Sequence, residues 1–395
     1  MNENPYQLQL KENDKNHHSG RITEQEKNIE RLLRNSFLSE YLDQEHITDI
    51  SFNGTDLWIQ DNKKGYYKPK KQPTEEEVYR LGKQIADIQG KEFTNSDPIL
   101  DTDLSYLRVN FVHQSVSPSG TTFAIRVSRP KLVTKDIASF ANRDVADLLS
   151  VLMKAEMNIL ISGRTGAGKT ELQKLLVGQI AENKKITLME DTMDSHIKEL
   201  YPEKDINSWR TLTESSRERK ITFHELNKAG LRNNPDWMII AETRGGQEAY
   251  DMVESALTDH AIISTIHAKG AGAIPRRLAY LIGQEHQVNE LLLGKDIVET
   301  FKFGIYLMLD NTKDGIKRFI REIVEYTDFT ERGTEYTPIY QLKTDYDEKT
   351  NKYVDYIDIN PLSNETLDEL RYKRLIHLVP EVFLKGGVKK NEVRS

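Results

Sequence analysis

Cysteine is absent from all 395 residues, so no disulfide can staple the fold and no thiolate zinc site can form. Its absence fits a reducing compartment. Long apolar runs are missing too. Stretches such as Asn158 to Ser162 and Trp237 to Ala241 are strand-sized, far short of the roughly 18 residues a membrane span needs, so no transmembrane helix is expected. The opening Met1-Asn2-Glu3-Asn4-Pro5 has neither the basic nor the apolar region of a secretory signal, and the expectation is a cytoplasmic protein. Positive charge is in deficit: 55 Lys and Arg against 62 Asp and Glu give a formal charge of −7. That balance argues against a surface built for phosphate backbones, so direct nucleic-acid binding is not expected, although Arg217 to Lys220 forms a local basic run.

What is present is a globular composition, 37% hydrophobic and 30% charged, on a chain long enough for two domains. Residues 1–20 are polar and without periodicity, and read as a flexible tail. An α+β domain is expected over 21–130. Ile29, Leu32, Leu33, Phe37 and Leu38 recur at helical spacing, and short apolar runs flank the turn dipeptide Asn53-Gly54. Thr74 followed by Glu75, Glu76 and Glu77 reads as a helix N-cap with an acidic first turn. Two strands, Leu107 to Val112 and Thr122 to Val127, would complete the domain, with Pro130 marking a linker. Over 131–360, strand-sized apolar runs at 159–162, 186–189, 237–241 and 261–266 alternate with helical patterns. Alternation of that kind implies a mainly parallel sheet covered on both faces, an α/β core. Asp314-Gly315 reads as a hairpin turn. Residues 361–395 look mostly helical, without a readable role.

The chemistry gathers in the second domain. Gly163-Arg164-Thr165-Gly166-Ala167-Gly168-Lys169-Thr170 fits G-x-x-x-x-G-K-[ST], between a buried strand and an amphipathic helix carrying Leu172, Leu175, Leu176 and Ile180. In that context the glycines let backbone N–H groups wrap a phosphate at the positive end of a helix; Lys169 reaches the outer phosphates and the Thr170 hydroxyl takes Mg²⁺. ATP and Mg²⁺ are therefore the expected ligands. Three further strands end in polar groups on the same crevice. Glu242 closes 237–241 and suits a water-orienting base or a second-shell Mg²⁺ ligand. Glu190-Asp191 closes 186–189, and His267 closes 261–266, where it could sense a γ-phosphate. For His260 a site role and a scaffold role both stay open.

Together these pieces resemble the hexameric secretion ATPases that power type II secretion, type IV pili and type IV secretion, and look closest to the tight-adherence pilus and type IV secretion branch. Glu190-Asp191-Thr192 resembles the family's acidic box, Leu231 through Gly246 its Walker B segment, and Thr258 through Ala268 its histidine box. In the first domain, Thr48-Asp49-Ile50 with Asn53-Gly54, Arg108-Val109-Asn110 and Ile125-Arg126 match as well. The resemblance implies a RecA-like P-loop core with a smaller α+β N-terminal domain. It also implies Glu242 as catalytic glutamate, Glu190 and Glu242 beside Thr170 at the metal, His267 linked to phosphate, and Arg108 and Arg126 lent to the phosphates. A homo-hexamer docked at the inner face of the cell membrane on embedded secretion or pilus machinery would follow. A hexameric nucleic-acid translocase on a similar core is the alternative. Where the family usually carries glycine before the first histidine of its box, this chain has Asp259.

Overall fold

The computed structural model describes residues 24–104, 106–212, 220–312, 315–349 and 351–390. The tail expected over 1–20, most of the basic run Arg217 to Lys220, and Asp314 of the expected turn lie outside these residues. The chain divides into two compact units meeting between Arg129 and Pro130. No described helix is long and apolar enough to cross a membrane.

The first unit comprises helices α1 (Glu24–Arg34) and α2 (Ser39–Leu42), strands β1 (Ile47–Phe52), β2 (Leu57–Asp61) and β3 (Gly65–Tyr67), helix α3 (Glu75–Gln89), and strands β4 (Ile99–Leu104), β5 (Leu107–Val112) and β6 (Thr122–Val127). Helix α3 starts at the N-cap read from the sequence. Thr74 Oγ1 accepts from the Glu77 N–H at 3.2 Å, and the Glu77 carboxylate accepts from the Thr74 N–H at 2.8 Å, which satisfies two otherwise orphaned donors. The strands form one antiparallel sheet, ordered β3-β2-β1-β6-β5-β4. Alternation decides its faces: Leu107, Val109 and Phe111 of β5 are buried with Ile29, Leu33, Val78 and Ile85 of the helices, while Arg108 and Asn110 point outward.

The second unit alternates helix and strand: α4 (Arg143–Lys154), β7 (Ile159–Gly163), α5 (Lys169–Gly178), β8 (Lys185–Glu190), α6 (Ile197–Leu200), β9 (Asp205–Arg210), α7 (Phe223–Leu231), β10 (Trp237–Thr243), α8 (Gly246–Leu257) and β11 (Ala261–Ile266). Helices α9 (Ile274–Glu285) and α10 (Glu290–Thr300) follow, then strands β12 (Phe303–Thr312), β13 (Gly315–Thr330), β14 (Gly333–Asp347) and β15 (Lys352–Ile359). Helices α11 (Asn364–Tyr372) and α12 (Val382–Lys385) and strand β16 (Gly387–Lys390) complete it. One ten-stranded sheet runs β16-β15-β14-β13-β12-β7-β11-β10-β8-β9. From β12 to β9 every pairing is parallel; from β12 to β16 every pairing is antiparallel.

The parallel half is covered on both faces, which is why its strands read as unbroken apolar runs. Ile159, Ile161, Leu188 and Ile239 pack with Leu148 of α4 and Leu172 of α5. Leu160, Met238, Ile240 and Ile262 pack with Met252 of α8, Leu278 of α9 and Ile297 of α10. The segment from 361 onward, expected as a mostly helical tail, adds strand β16 to the sheet edge and sends Leu362, Leu370 and Phe383 into the same core as Ile159 and Ile161. Their burial, rather than a separate helical packing, fixes that segment.

Candidate active site

Strand β7 is buried end to end, and the chain turns out of it through three residues in the left-handed region: Gly163 at φ +156°, Gly166 at +78° and Gly168 at +92°. A Cβ on Gly163 would sit 2.7 Å from the Leu307 carbonyl oxygen, so only glycine lets β12 lie against the loop. Gly168 is the N-cap of α5 and supplies no side chain to the helix start, which leaves backbone donors for an anion. Arg164, Thr165 and Gly166 are exposed and Ala167 is buried beneath them. Lys169 is 8% exposed, and its Nζ donates to the Gly163 carbonyl at 3.2 Å, curling back over the loop. Thr170 follows in the first turn of α5, half-buried.

Glu242 is the centre of a compact polar group at the carboxyl ends of the parallel strands. Its Oε1 lies 2.8 Å from His267 Nε2, and its Oε2 accepts from Arg244 Nη2 at 2.6 Å and Nε at 2.9 Å. Burial would raise this carboxyl, but the Arg244 bonds and the charges of Arg244, Lys169 and His267 hold it below the usual range. Burial and the Lys169 charge push the His267 imidazole down against the pull of Glu242, which disfavours the charged ring beside the carboxylate. Lys169, Glu242 and His267, drawn from three elements, thus share one electrostatic environment. Arg244 is held in turn: Glu248 accepts from the Arg244 and Gly245 N–H groups at 2.9 and 3.1 Å, and Glu285 accepts from Gly246 at 2.9 Å.

Glu190 is placed differently. It is 3% exposed, its Oε1 accepts from the Ser195 N–H at 3.1 Å, and burial pushes its carboxyl up to about 7 despite the Ser195 bonds, with Asp194 and Glu199 adding to the rise. Its neighbour Asp191 accepts from Thr211 at 3.0 Å. In the first unit, Arg126 stands directly opposite Arg108, an arrangement of like charges that opposes pairing. Each has a carboxylate on its outer side: Asp49 at 3.1 Å from Arg126 and Asp103 at 3.5 Å from Arg108. The four form one row across β1, β6, β5 and β4.

A family model described as type II/IV secretion system protein matches residues 100–298, half of the chain. The chain belongs to that family. It is 35% identical over 315 residues to an uncharacterized protein of Bacillus anthracis, covering 77% of this chain and 68% of the relative. To a putative conjugal transfer protein of Mycobacterium tuberculosis it is 27% identical over 258 residues, 62% of this chain and 72% of the relative. Among solved structures, the Legionella pneumophila ATPase DotB superposes with a TM-score of 0.55 at 18% identity, covering 94% of this chain and 90% of that one. The architecture is accordingly the RecA-like P-loop core with a smaller α+β N-terminal domain.

The departure from the family's histidine box has a conformational explanation. Asp259 lies at φ +67°, a region glycine adopts freely and aspartate tolerates, so the turn is kept without the glycine. His260 Nδ1 sits 3.1 Å from Thr258 Oγ1, a contact within that turn. Sequence reasoning gave no role to Arg244 or Ser195. For Arg244 a signal existed, since two residues after Glu242 is the same side of an extended chain; for Ser195 there was none, because its bond to Glu190 closes through an irregular turn.

Proposed function

We propose that this chain is the ATP-hydrolysing subunit of a ring-forming motor, a hexamer, that powers type IV secretion, conjugative transfer or pilus assembly from the inner face of the cell membrane. The observation that carries the reading is the shared environment of Lys169, Glu242 and His267 at the mouth of a glycine-turned loop. The family supports the machinery, as do a relative named as a putative conjugal transfer protein and a structural neighbour named as an ATPase.

The residues fit a nucleotide triphosphate. Backbone N–H groups from Gly163 to Thr170 and the Lys169 ammonium would hold its phosphates. They also fit Mg²⁺ brought in with those phosphates: Thr170 offers a hydroxyl, Glu242 a carboxylate and Glu190 a carboxyl that burial raises to about 7, while no group of three His, Cys, Asp or Glu among the described residues could hold a metal alone. When bound, the cation would neutralise charge on the phosphates. Glu242, kept ionised by Arg244, orients water by accepting its hydrogen bond; His267 shares that carboxylate and reports on what occupies the site. Arg108 and Arg126, which the resemblance lends to the phosphates, are ion-paired to Asp103 and Asp49 within the first unit's own sheet. Lys169→Ala should abolish ATP binding in a folded protein, and Glu242→Gln should bind ATP yet hydrolyse it at least roughly tenfold more slowly. Near-normal phosphate release by Lys169→Ala sinks the assignment. Arg126→Ala should lose turnover and little stability, as an exposed ion pair contributes under about 1 kcal/mol; unchanged turnover returns the arginine row to a purely structural role.

A further inference from the structure

Strand β10 is irregular just where it delivers Glu242. It pairs with β11 residue for residue from Trp237 opposite Ala261 to Ile240 opposite Ser264, then resumes at Thr243 opposite Ile266, so Ala241 and Glu242 together oppose Thr265. This is a bulge, a device that turns a side chain out of its regular alternation at the expense of ladder hydrogen bonds. Buried carbonyls at such a break need other donors. Thr265 Oγ1 donates to the Ala241 carbonyl at 2.8 Å. Gln173 Nε2 donates to the Ile240 carbonyl at 2.9 Å and reaches the Ile263 carbonyl at 3.4 Å. Gln173 is fully buried and sits four residues after Lys169 on α5, one turn along the same face. Its Oε1 is buried without a hydrogen-bond partner. A side chain selected only to fill space there would be apolar, without an orphaned oxygen. What the amide adds is a tie from the phosphate-binding helix to the bulge.

We propose that Gln173 and Thr265 are positioning residues that clamp the bulge to α5, so that Glu242 keeps a fixed place relative to Lys169 when the loop is loaded. The proposal rests on the reading of Glu242 as the water-orienting group. The test uses the full chain and four variants: Gln173→Met, Thr265→Val, Glu242→Gln and the Gln173→Met/Glu242→Gln double. Gln173→Met should bind a fluorescent ATP analogue within about twofold of the parent while kcat falls about tenfold or more. In the Glu242→Gln background the same change should cost less than about twofold, because a clamp has no effect once the clamped carboxylate is gone. Parent-like kcat in Gln173→Met, or an equal loss in both backgrounds, overturns the proposal. Should Gln173→Met not fold, Thr265→Val carries the test: slowed turnover at unchanged affinity supports the clamp, and parent-like turnover overturns it. Glu242→Gln turning over normally is a separate failure, that of the underlying reading.

Discussion

Glu190 and Glu242 are both strand-end glutamates, yet their surroundings push their carboxyls in opposite directions. Glu242 is held down by Arg244, whereas Glu190 is raised to about 7 by burial. The raised group is bound to its proton more tightly in the folded chain than in the unfolded one. It therefore contributes stability that is complete below the unfolded value of 4.5 and is lost as pH rises through about 7. Glu190→Gln keeps an oxygen for the Ser195 N–H and cannot ionise. Its unfolding free energy should match the parent's near pH 4 and exceed it at pH 8, by on the order of 3 kcal/mol from the full shift; parallel pH profiles for the two proteins would refute the neutral carboxyl. The sequence presents the two glutamates as equivalents, because strand ends show position and not depth. Arg244 was legible from its spacing to Glu242; Ser195, closing an irregular turn, was not.

Among elements, the hairpin of β12 and β13 bears most directly on the site. Leu307 pairs with Gly163, so the strand residues beyond it run past the end of β7 and over the phosphate loop. There Arg318 Nε donates to the Gly166 carbonyl at 2.8 Å, and its Cδ would lie 3.0 Å from a Cβ on Gly168. Arg318→Ala frees the loop's outer turn while leaving the strand pairing. The expected loss of about 1 kcal/mol for one hydrogen bond is roughly fivefold in nucleotide Kd, and Arg318→Lys should not restore it, since an ammonium cannot reproduce the Nε geometry. Titration with an ATP analogue decides this, and an unchanged Kd removes the hairpin from the site. The turn of this hairpin was visible in the sequence as Asp314-Gly315. Strands β14 and β15 were not, because residues such as Glu335, Asp345 and Tyr353 are solvated and dilute the two-residue period on which a strand is recognised.

For the whole molecule, the decisive fact is that each unit keeps its own core: one apolar cluster runs from Ile29 to Val127, and those of the second unit begin at Ile137. Alternating runs showed the two layers of the second unit, but not its end, whose short apolar residues lack a period long enough to register. Phe383 and Leu370 are nonetheless fully buried with Ile159 and Ile161. Phe383→Ala should lower unfolding free energy by about 3–5 kcal/mol, as for other buried aromatic truncations, measured by chemical denaturation; a change under about 1 kcal/mol would show the segment to be a detachable appendage.

Strand β7, which opens into the phosphate loop, lies between β11 and β12, and its partner residues 303–307 are far downstream of 159–163. Translation therefore makes the loop long before it makes the strand that seats it. The first unit has all its strands within residues 47–127 and can close while the rest is still being synthesised. The loop cannot, for its glycine turn is shaped against the Leu307 carbonyl. The seating of the loop against its neighbouring strand is thereby deferred until residues 303–307 have left the ribosome.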